Sequence, residues 1–451
     1  MPGPGPEMRG ALVLLLCAAA VAPSAIAADG SLTLAETIQR AQARSAGTRL
    51  AGSQVERAEA TRSGATSALL PRLEAQAYQS RRTTNLKAQG IEFPGAPTLV
   101  GPFNTFDARL SLSQSIFDAR AFLAARGARL GADIARAQAG AAQEQAASQA
   151  ALSYIAVLRA EQAVHAAESD VQVARELLTL AQDQRRAGVA SGVDVARAET
   201  LVAQDEFALV RARTLLTTST LSLKRVASLP QGEDIHLADG LDFAPQPLPT
   251  AEAAVGQALD QRQEIVALRL LRTAREYERD AAKARRLPTA GLFADYGISA
   301  NSPNENDENT YTVGARIGMP IFSGGAISAD IRTAEAGLGE AGIQLEDAQA
   351  QVEEDVRVAL AQAGSTAEQV RAAGATRALA ERELTLARDR FAHGVGSNIE
   401  VVEAQAALTR ARAGAIEALA AAQVARANLA AALGSAGQFH LPPAAPAQSP
   451  E

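Results

Sequence analysis

An internal duplication constrains this chain more than any other feature. A Leu-Pro pair, a strand-like run, an Ile-Phe dipeptide, a long helical stretch and a glycine-rich reversal occur in the same order in both halves. The first copy reads Leu70-Pro71, Ile116-Phe117-Asp118 and Gly188-Val189-Ala190-Ser191-Gly192-Val193-Asp194. The second reads Leu287-Pro288, Ile321-Phe322-Ser323 and Gly394-Val395-Gly396-Ser397-Asn398-Ile399-Glu400. Pro71 to Pro288 is 217 positions, Phe117 to Phe322 is 205 and Gly188 to Gly394 is 206, so only a loop has changed length. A repeat of that size, carrying strands and helices in one order, describes the architecture before any single residue is considered.

After each proline the apolar residues alternate with period two. Tyr311, Val313, Ala315, Ile317 and Met319 alternate with Thr312, Gly314, Arg316 and Gly318. Phe106, Ala108, Leu110 and Leu112 do the same against Asp107, Arg109, Ser111 and Ser113, and Leu292, Ala294, Tyr296 and Ile298 against Asp295 and Gly297. Arg72 to Tyr78 is a weaker fourth case. Strands of about ten residues with one apolar and one polar face suit an outer-membrane barrel, although a sheet with one wet face gives the same pattern. Four strands cannot close around a lumen, so membrane-spanning strands of this number require several chains in one barrel. The linkers, residues 79–105 and 299–310, are polar and turn-rich and read as exposed outer loops.

The helical parts are long. Thr33-Leu34-Ala35-Glu36 is a capping box, and one helix is expected from it towards Leu69, with a counterpart after Pro249-Thr250 running to Leu287. From about Ala119 to Arg186, and again from about Ile327 to His393, there is no proline and the apolar spacing is helical. Each such stretch makes a rod of roughly 100 Å. A return helix follows each glycine reversal, over 194–229 and 399–433. With no tryptophan and 4% aromatic residues, the packing must rely on small side chains held in close contact, and the molecule is expected to be elongated.

Met8-Arg9, the apolar run from Ala11 to Ala22 and Ala25-Ile26-Ala27 read as a secretory signal peptide over 1–27. The run is too short for a bilayer-spanning helix. The only cysteine, Cys17, lies within it and follows Leu14-Leu15-Leu16, whereas lipid attachment needs a small residue there. The domains expected are a first repeat over 28–240, with strands at about 71–79 and 106–117 and a hairpin at 119–229. A second repeat spans 241–440, with strands at about 289–299 and 310–321 and a hairpin at 327–434. A disordered tail follows over 441–451. The net charge of -7 is spread along the chain without a basic patch, which speaks against nucleic acid as a partner. His165, His236, His393 and His440 are far apart in sequence, and no nucleophile elbow or phosphate loop occurs, so neither an enzyme, a metal site nor a cofactor is expected.

This order of elements, together with Leu287-Pro288, Ile321-Phe322-Ser323-Gly324-Gly325 and Arg390-Phe391-Ala392-His393-Gly394 running on to Glu403-Ala404, resembles the outer-membrane factor family, the TolC-like exit ducts. The resemblance covers essentially the whole chain after the signal peptide. It implies a mainly α fold with a membrane β-barrel portion, in which a homotrimer shares a twelve-strand barrel and a long periplasmic α-helical barrel. It further implies partnership with a periplasmic adaptor (membrane fusion) protein and an inner-membrane pump, of the resistance-nodulation-division type in preference to an ABC transporter. The expected role is passage of small toxic compounds, or of a secreted polypeptide, through the periplasm and outer membrane. The chain departs from the lipidated branch of the family, and its first half has Arg185-Arg186 where the second has Phe391-Ala392. A periplasmic coiled coil with an accessory sheet is the competing reading.

Candidate site residues lie at the two reversals. Ser191 with Asp194 and Ser397 with Glu400 each read as capping boxes. Glu403 lies three residues beyond Glu400 on the same helix face, and the resemblance implies that Glu400 and Glu403, with Asp194, form an acidic periplasmic entrance. If the tip closes, Arg185, Arg186 and Arg390 are candidates to pair with Asp194, Asp183 and Asp389. Gly188, Gly192, Gly394 and Gly396, beside Ser191 and Ser397, let the chain reverse and offer bare backbone to an adaptor.

Overall fold

The computed structural model describes residues 31–91, 94–95, 97–304, 308–393 and 395–442. The signal peptide, Gly394 and most of the 441–451 tail lie outside them. In chain order the elements are β1 (Ser31–Leu32), α1 (Leu34–Arg44), α2 (Ala46–Ser67), β2 (Arg72–Asn85), β3 (Leu99–Phe117), α3 (Ala119–Arg186) and α4 (Gly192–Val226). They continue as β4 (His236–Leu237), α5 (Ala251–Gln261), α6 (Gln263–Ala284), β5 (Thr289–Ala300), β6 (Glu308–Gly318), α7 (Ala326–Ala392) and α8 (Asn398–Ala432). Two short 3₁₀ turns complete the set.

The first helix of each repeat, expected as one piece, is two. Ser45 (φ -59°, ψ 151°) leaves the helical region and its hydroxyl accepts from the Thr48 N–H, so it ends α1 and caps α2. Arg262 (φ -65°, ψ 122°) likewise leaves the helical region between α5 and α6, but its side chain makes no cap and is held instead by Glu264 at 2.6 Å and Asp355 at 2.9 Å. Neither break involves proline or glycine. Both fall 217 positions apart, the same offset as the Thr33 and Thr250 caps.

The four long strands form one antiparallel sheet in the order β2-β3-β5-β6. Its register sets Leu73, Leu112, Ala294 and Val313 in one row and Ala75, Leu110, Tyr296 and Tyr311 in the next. This face is exposed: Val313 is 75% and Ile317 78% accessible. The opposite face carries Glu74, Ser111, Asp295 and Thr312 in one row. There Arg109 reaches Asp107 and Asp295, each at 2.7 Å, across Gly297, whose missing Cβ leaves the space.

The β2-β3 ribbon extends well into the expected 79–105 loop. Pairing continues through Ser80↔Thr105 and Arg82↔Phe103 to Asn85↔Leu99. Alternation fades beyond Tyr78 because Gln79, Ser80, Arg81 and Arg82 are all polar, so period two no longer marks the strand. In the second ribbon pairing stops at Gly318, short of the expected 321, and Pro320, which has no N–H to donate, follows.

α3 and α7, of 68 and 67 residues, are the rods, each roughly 100 Å long. α4 lies antiparallel along the far part of α3 and α8 along that of α7, while α2 and α6 cover the sheet-proximal part of α3. The interior is alanine-rich: Ala132, Ala147, Ala150, Ala160, Ala174 and Ala181 of α3 are buried. Small side chains let the axes approach, which is how a chain so poor in aromatics fills its core. The largest side chain fully buried is Tyr154, midway along α3; its hydroxyl lies 2.8 Å from both the Leu32 carbonyl and the Asp239 carboxylate. That knot fixes the parallel β1-β4 pair and α1 against the middle of the rods. Among the described residues no helix is long and apolar enough to cross a membrane.

Candidate functional site

The end of the rods farthest from the sheet brings the two reversals together. In the first, Gly188 at φ +75° turns the chain after α3, a conformation that a side chain resists. Ser191 then caps α4: its hydroxyl accepts from the Asp194 N–H at 3.4 Å, and the Asp194 carboxylate takes the Ser191 N–H at 2.9 Å and its hydroxyl at 2.7 Å. These hydrogen bonds from Ser191 hold the Asp194 carboxyl below its usual range. Arg197 stands 3.6 Å away. Asp194 is thus a helix cap, fully occupied by its own turn.

The second reversal differs. Ser397 accepts from the Glu400 N–H at 3.4 Å, but the Glu400 carboxylate does not return to the Ser397 backbone. It faces Arg390, 3.6 Å away, so only half of the expected box forms. Glutamate is one methylene longer than aspartate, and Arg390 offers it a charge within reach. Glu403 is exposed and makes no ion pair among the described residues. The turn before the cap is tight: a Cβ on Gly396 would lie 3.0 Å from the Arg390 Cβ and 3.1 Å from the Phe391 nitrogen. Gly192 has no such constraint, its nearest neighbour being the Arg185 guanidinium at 3.8 Å.

The charge pairing at the tip is more local than the sequence implied. Arg186 pairs with Asp183 one turn away and Arg390 with Glu400. Asp194 meets Arg197 instead of Arg185, and the Asp389 contribution is its carbonyl, which accepts from the His393 N–H at 3.2 Å. Neither Arg185 nor the Asp389 carboxylate has an ion-pair partner within the chain among the described residues. Side chains three or four apart on one helix meet at little entropic cost, and long arginines take the nearest acid.

At the reversals themselves, two neutral hydrogen bonds tie the hairpins together. The Asn398 side-chain amide donates to the Asp194 carbonyl at 2.9 Å, and the Gln184 amide to the Phe391 carbonyl at 3.2 Å. Further along α8, Gln405 faces Asp170 at 3.4 Å and Arg412 pairs with Asp170 at 3.0 Å. Asn398, Gln405 and Arg412 are spaced by seven and sit on the apolar seam of α8 with Val401, Ala404 and Leu408. A polar residue recurring every seventh position within an apolar stripe is a register-setting signal that the sequence displays and that the reading above did not use. Burial raises the Asp170 carboxyl despite Arg412. On α4 beside it, Asp205 is 8% exposed and is pushed up to about 6 by burial and by the Asp170 charge.

No group of three or more acidic, histidine or cysteine residues suited to a metal ion occurs among the described residues. The tip is a pair of capped turns with outward carboxylates and an amide-tied seam.

A family model described as outer membrane efflux protein matches residues 37–228 and 254–435. The chain is 28% identical over 326 residues to the alkaline protease secretion protein AprF of Pseudomonas aeruginosa, covering 68% of this chain and 65% of that protein. It is 29% identical over 227 residues to the outer membrane efflux protein BepC of Brucella suis, covering 50% and 48%. The matches thus span less than two thirds of these relatives' own length. The fold is similar to the crystal structure of the Campylobacter jejuni CmeC outer membrane channel, with a TM-score of 0.78 and 19% identity over 90% of this chain and 86% of that one.

Proposed function

Since the chain belongs to the outer membrane efflux protein family, a family of outer-membrane channels and not of enzymes, we propose that three copies assemble into one exit duct. In this reading they share a twelve-strand barrel in the outer membrane, continued by a helical tube through the periplasm. The observation that carries it is the sheet. Its apolar face is exposed, and β2 and β6 are edges without a partner strand among the described residues. Such edges are liabilities unless paired, and four strands enclose nothing; three copies joined edge to edge abolish both problems. The helices offer a matching seam. α4 exposes Phe207, Val210 and Leu221, and α7 exposes Leu379 and Leu386, at heptad-related positions that a neighbouring copy would cover.

The duct carries no energy source of its own. An inner-membrane pump of the resistance-nodulation-division type, or an ABC transporter, drives it through a periplasmic adaptor whose helical tips meet the reversals at Gly188, Gly192, Gly394 and Gly396. Glu400 and Glu403 of three copies supply six carboxylates at the entrance, which favours cations there. Arg185 and Asp389 are left for pairing between copies while the tip is shut. Small toxic compounds are the proposed cargo; a secreted polypeptide is the second reading, favoured by the name of AprF.

Planar-bilayer recording from the detergent-extracted full chain tests the duct. Crosslinkable trimers that give discrete conductance steps support it. Well-folded protein that stays monomeric and forms no channels returns the chain to the structural coiled coil.

A further inference from the structure

A groove of about 390 Å³ runs between α3, α4 and α8, some way from the reversals. Its walls are methyl groups: Ala163 and Ala167 of α3, Ala208, Ala212 and Leu215 of α4, and Ile416 of α8. Asp170, Asp205 and Thr409, whose hydroxyl is engaged with Asp170, line one end, and Arg159 and Glu417, paired at 3.1 Å, line the other. From Asp205 to Leu215 the groove follows α4 for roughly 15 Å.

The acidic end is short of donors. Asp205 is 92% buried, yet its Oδ2 meets no hydrogen-bond donor. Gln405, fully buried beside Asp170, turns its amide nitrogen to that acid and leaves its own oxygen without a donor. The cations around them are engaged elsewhere: Arg412 with Asp170 at 3.0 Å, Arg159 with Glu417, Arg175 with Glu206 at 2.6 Å and Arg213 with Glu168 at 2.9 Å. A buried carboxylate without a donor or a counter-charge is costly, and such groups in folded proteins normally have a partner.

We propose that this groove binds a protonated primary alkylamine, its ammonium received by Asp205 and its hydrocarbon chain laid along the alanine walls. An ammonium brings one positive charge and three N–H donors, which matches what the acidic end lacks. The apolar walls then bury the chain. A bare metal ion fits poorly, because the walls are hydrocarbon and only two carboxylates converge. The site is complete within one protomer and does not depend on the duct reading.

Isothermal titration of the full chain in amphipol with n-pentylammonium chloride at pH 7.5 tests this. Saturable binding is expected, with 1-pentanol and tetramethylammonium each binding more weakly, because one lacks the charge and the other the N–H donors. Asp205→Asn should weaken n-pentylammonium on the order of ten- to a hundred-fold while leaving 1-pentanol unchanged. Ala212→Phe, which fills the groove and leaves the acid, should abolish binding of both probes, with circular dichroism confirming that each variant is folded. Lowering the pH to 5, where Asp205 takes up a proton in the presence of Asp170, Arg412, Arg159 and Glu417, should weaken the amine as well. Absence of saturable binding in the wild type, or equal affinity in Asp205→Asn or in Ala212→Phe, overturns the proposal.

Discussion

The side-chain amide of Asn398 donates to the backbone carbonyl of Asp194, 2.9 Å away and 204 residues earlier in the chain. The first turn of α8 is thereby hooked to the first turn of α4. Because the acceptor is main chain, the hook does not depend on which residue follows the cap. Asn398 is 3% exposed, so the bond is shielded from water. Asn398→Ala removes this second donor while the Asp194 carbonyl keeps its place in the α4 ladder, at a cost of about 0.5–1.5 kcal/mol. Single-channel recording should then show a larger or longer-lived open state. Unchanged conductance and open time would mean that the hook plays no part in closing the tip.

Glu400 and Glu403 should govern cation block. The Glu400 carboxylate takes the Ser397 hydroxyl at 3.4 Å and faces Arg390 at 3.6 Å, and Glu403 has no partner among the described residues, so both can still meet ions from outside. Divalent cations added on the periplasmic side should block the wild-type channel, and Glu400→Ala/Glu403→Ala should remove most of that block. Asp194→Ala should instead destabilise α4 by about 1 kcal/mol, because it removes half of a complete cap, with little effect on block.

The two reversals should respond differently to added methyl groups. Gly396→Ala sets a Cβ against Arg390 and the Phe391 nitrogen at 3.0–3.1 Å, whereas Gly192→Ala meets nothing closer than a flexible guanidinium at 3.8 Å. Gly188→Ala places a side chain at φ +75°, which costs about 1–2 kcal/mol. Thermal melts should rank Gly192→Ala near the wild type, with the other two lower.

Asp205 gives the helical region a pH dependence of definite sign. Its carboxyl titrates at about 6 in the folded chain, above the usual carboxylate value, because burial and Asp170 resist ionisation. The unfolded chain therefore loses this proton first as the pH rises, so the contribution of Asp205 to stability falls between about pH 4 and pH 6 and is level above that. Asp205→Asn should stabilise the protein at pH 7.5 by about 1–3 kcal/mol and have little effect at pH 4. Chemical denaturation at the two pH values checks the sign.

Much of the fold was legible because it rests on periodicity. Tyr311, Val313 and Ile317 alternate in sequence as they do across the sheet, and the Thr33 capping box forms in full. The breaks at Ser45 and Arg262 were hidden, since serine and arginine interrupt no pattern; each break is made by its bonds to Thr48 or to Glu264 and Asp355, and only the latter's distance in sequence marks it as tertiary. At the tip, the caps could be read from Ser191 and Ser397. The hooks could not, because Asn398 and Gln184 bond to main-chain carbonyls, which leave no signature in the partner's identity.

The shift of the repeat offset from 217 to 205 arises in the ribbons and in the link that follows β6. β2 through β3 spans 72–117 while β5 through β6 spans 289–318, yet α3 and α7 differ by one residue and α4 and α8 not at all. The rods act as a matched pair of legs that must stand level. Inserting one helical turn in either would lift one foot by about 5.4 Å and pull Asn398 off Asp194. The other end has no floor to meet, so there the two halves of an ancestral doublet were free to drift in length, leaving each copy with one tall ribbon and one short one.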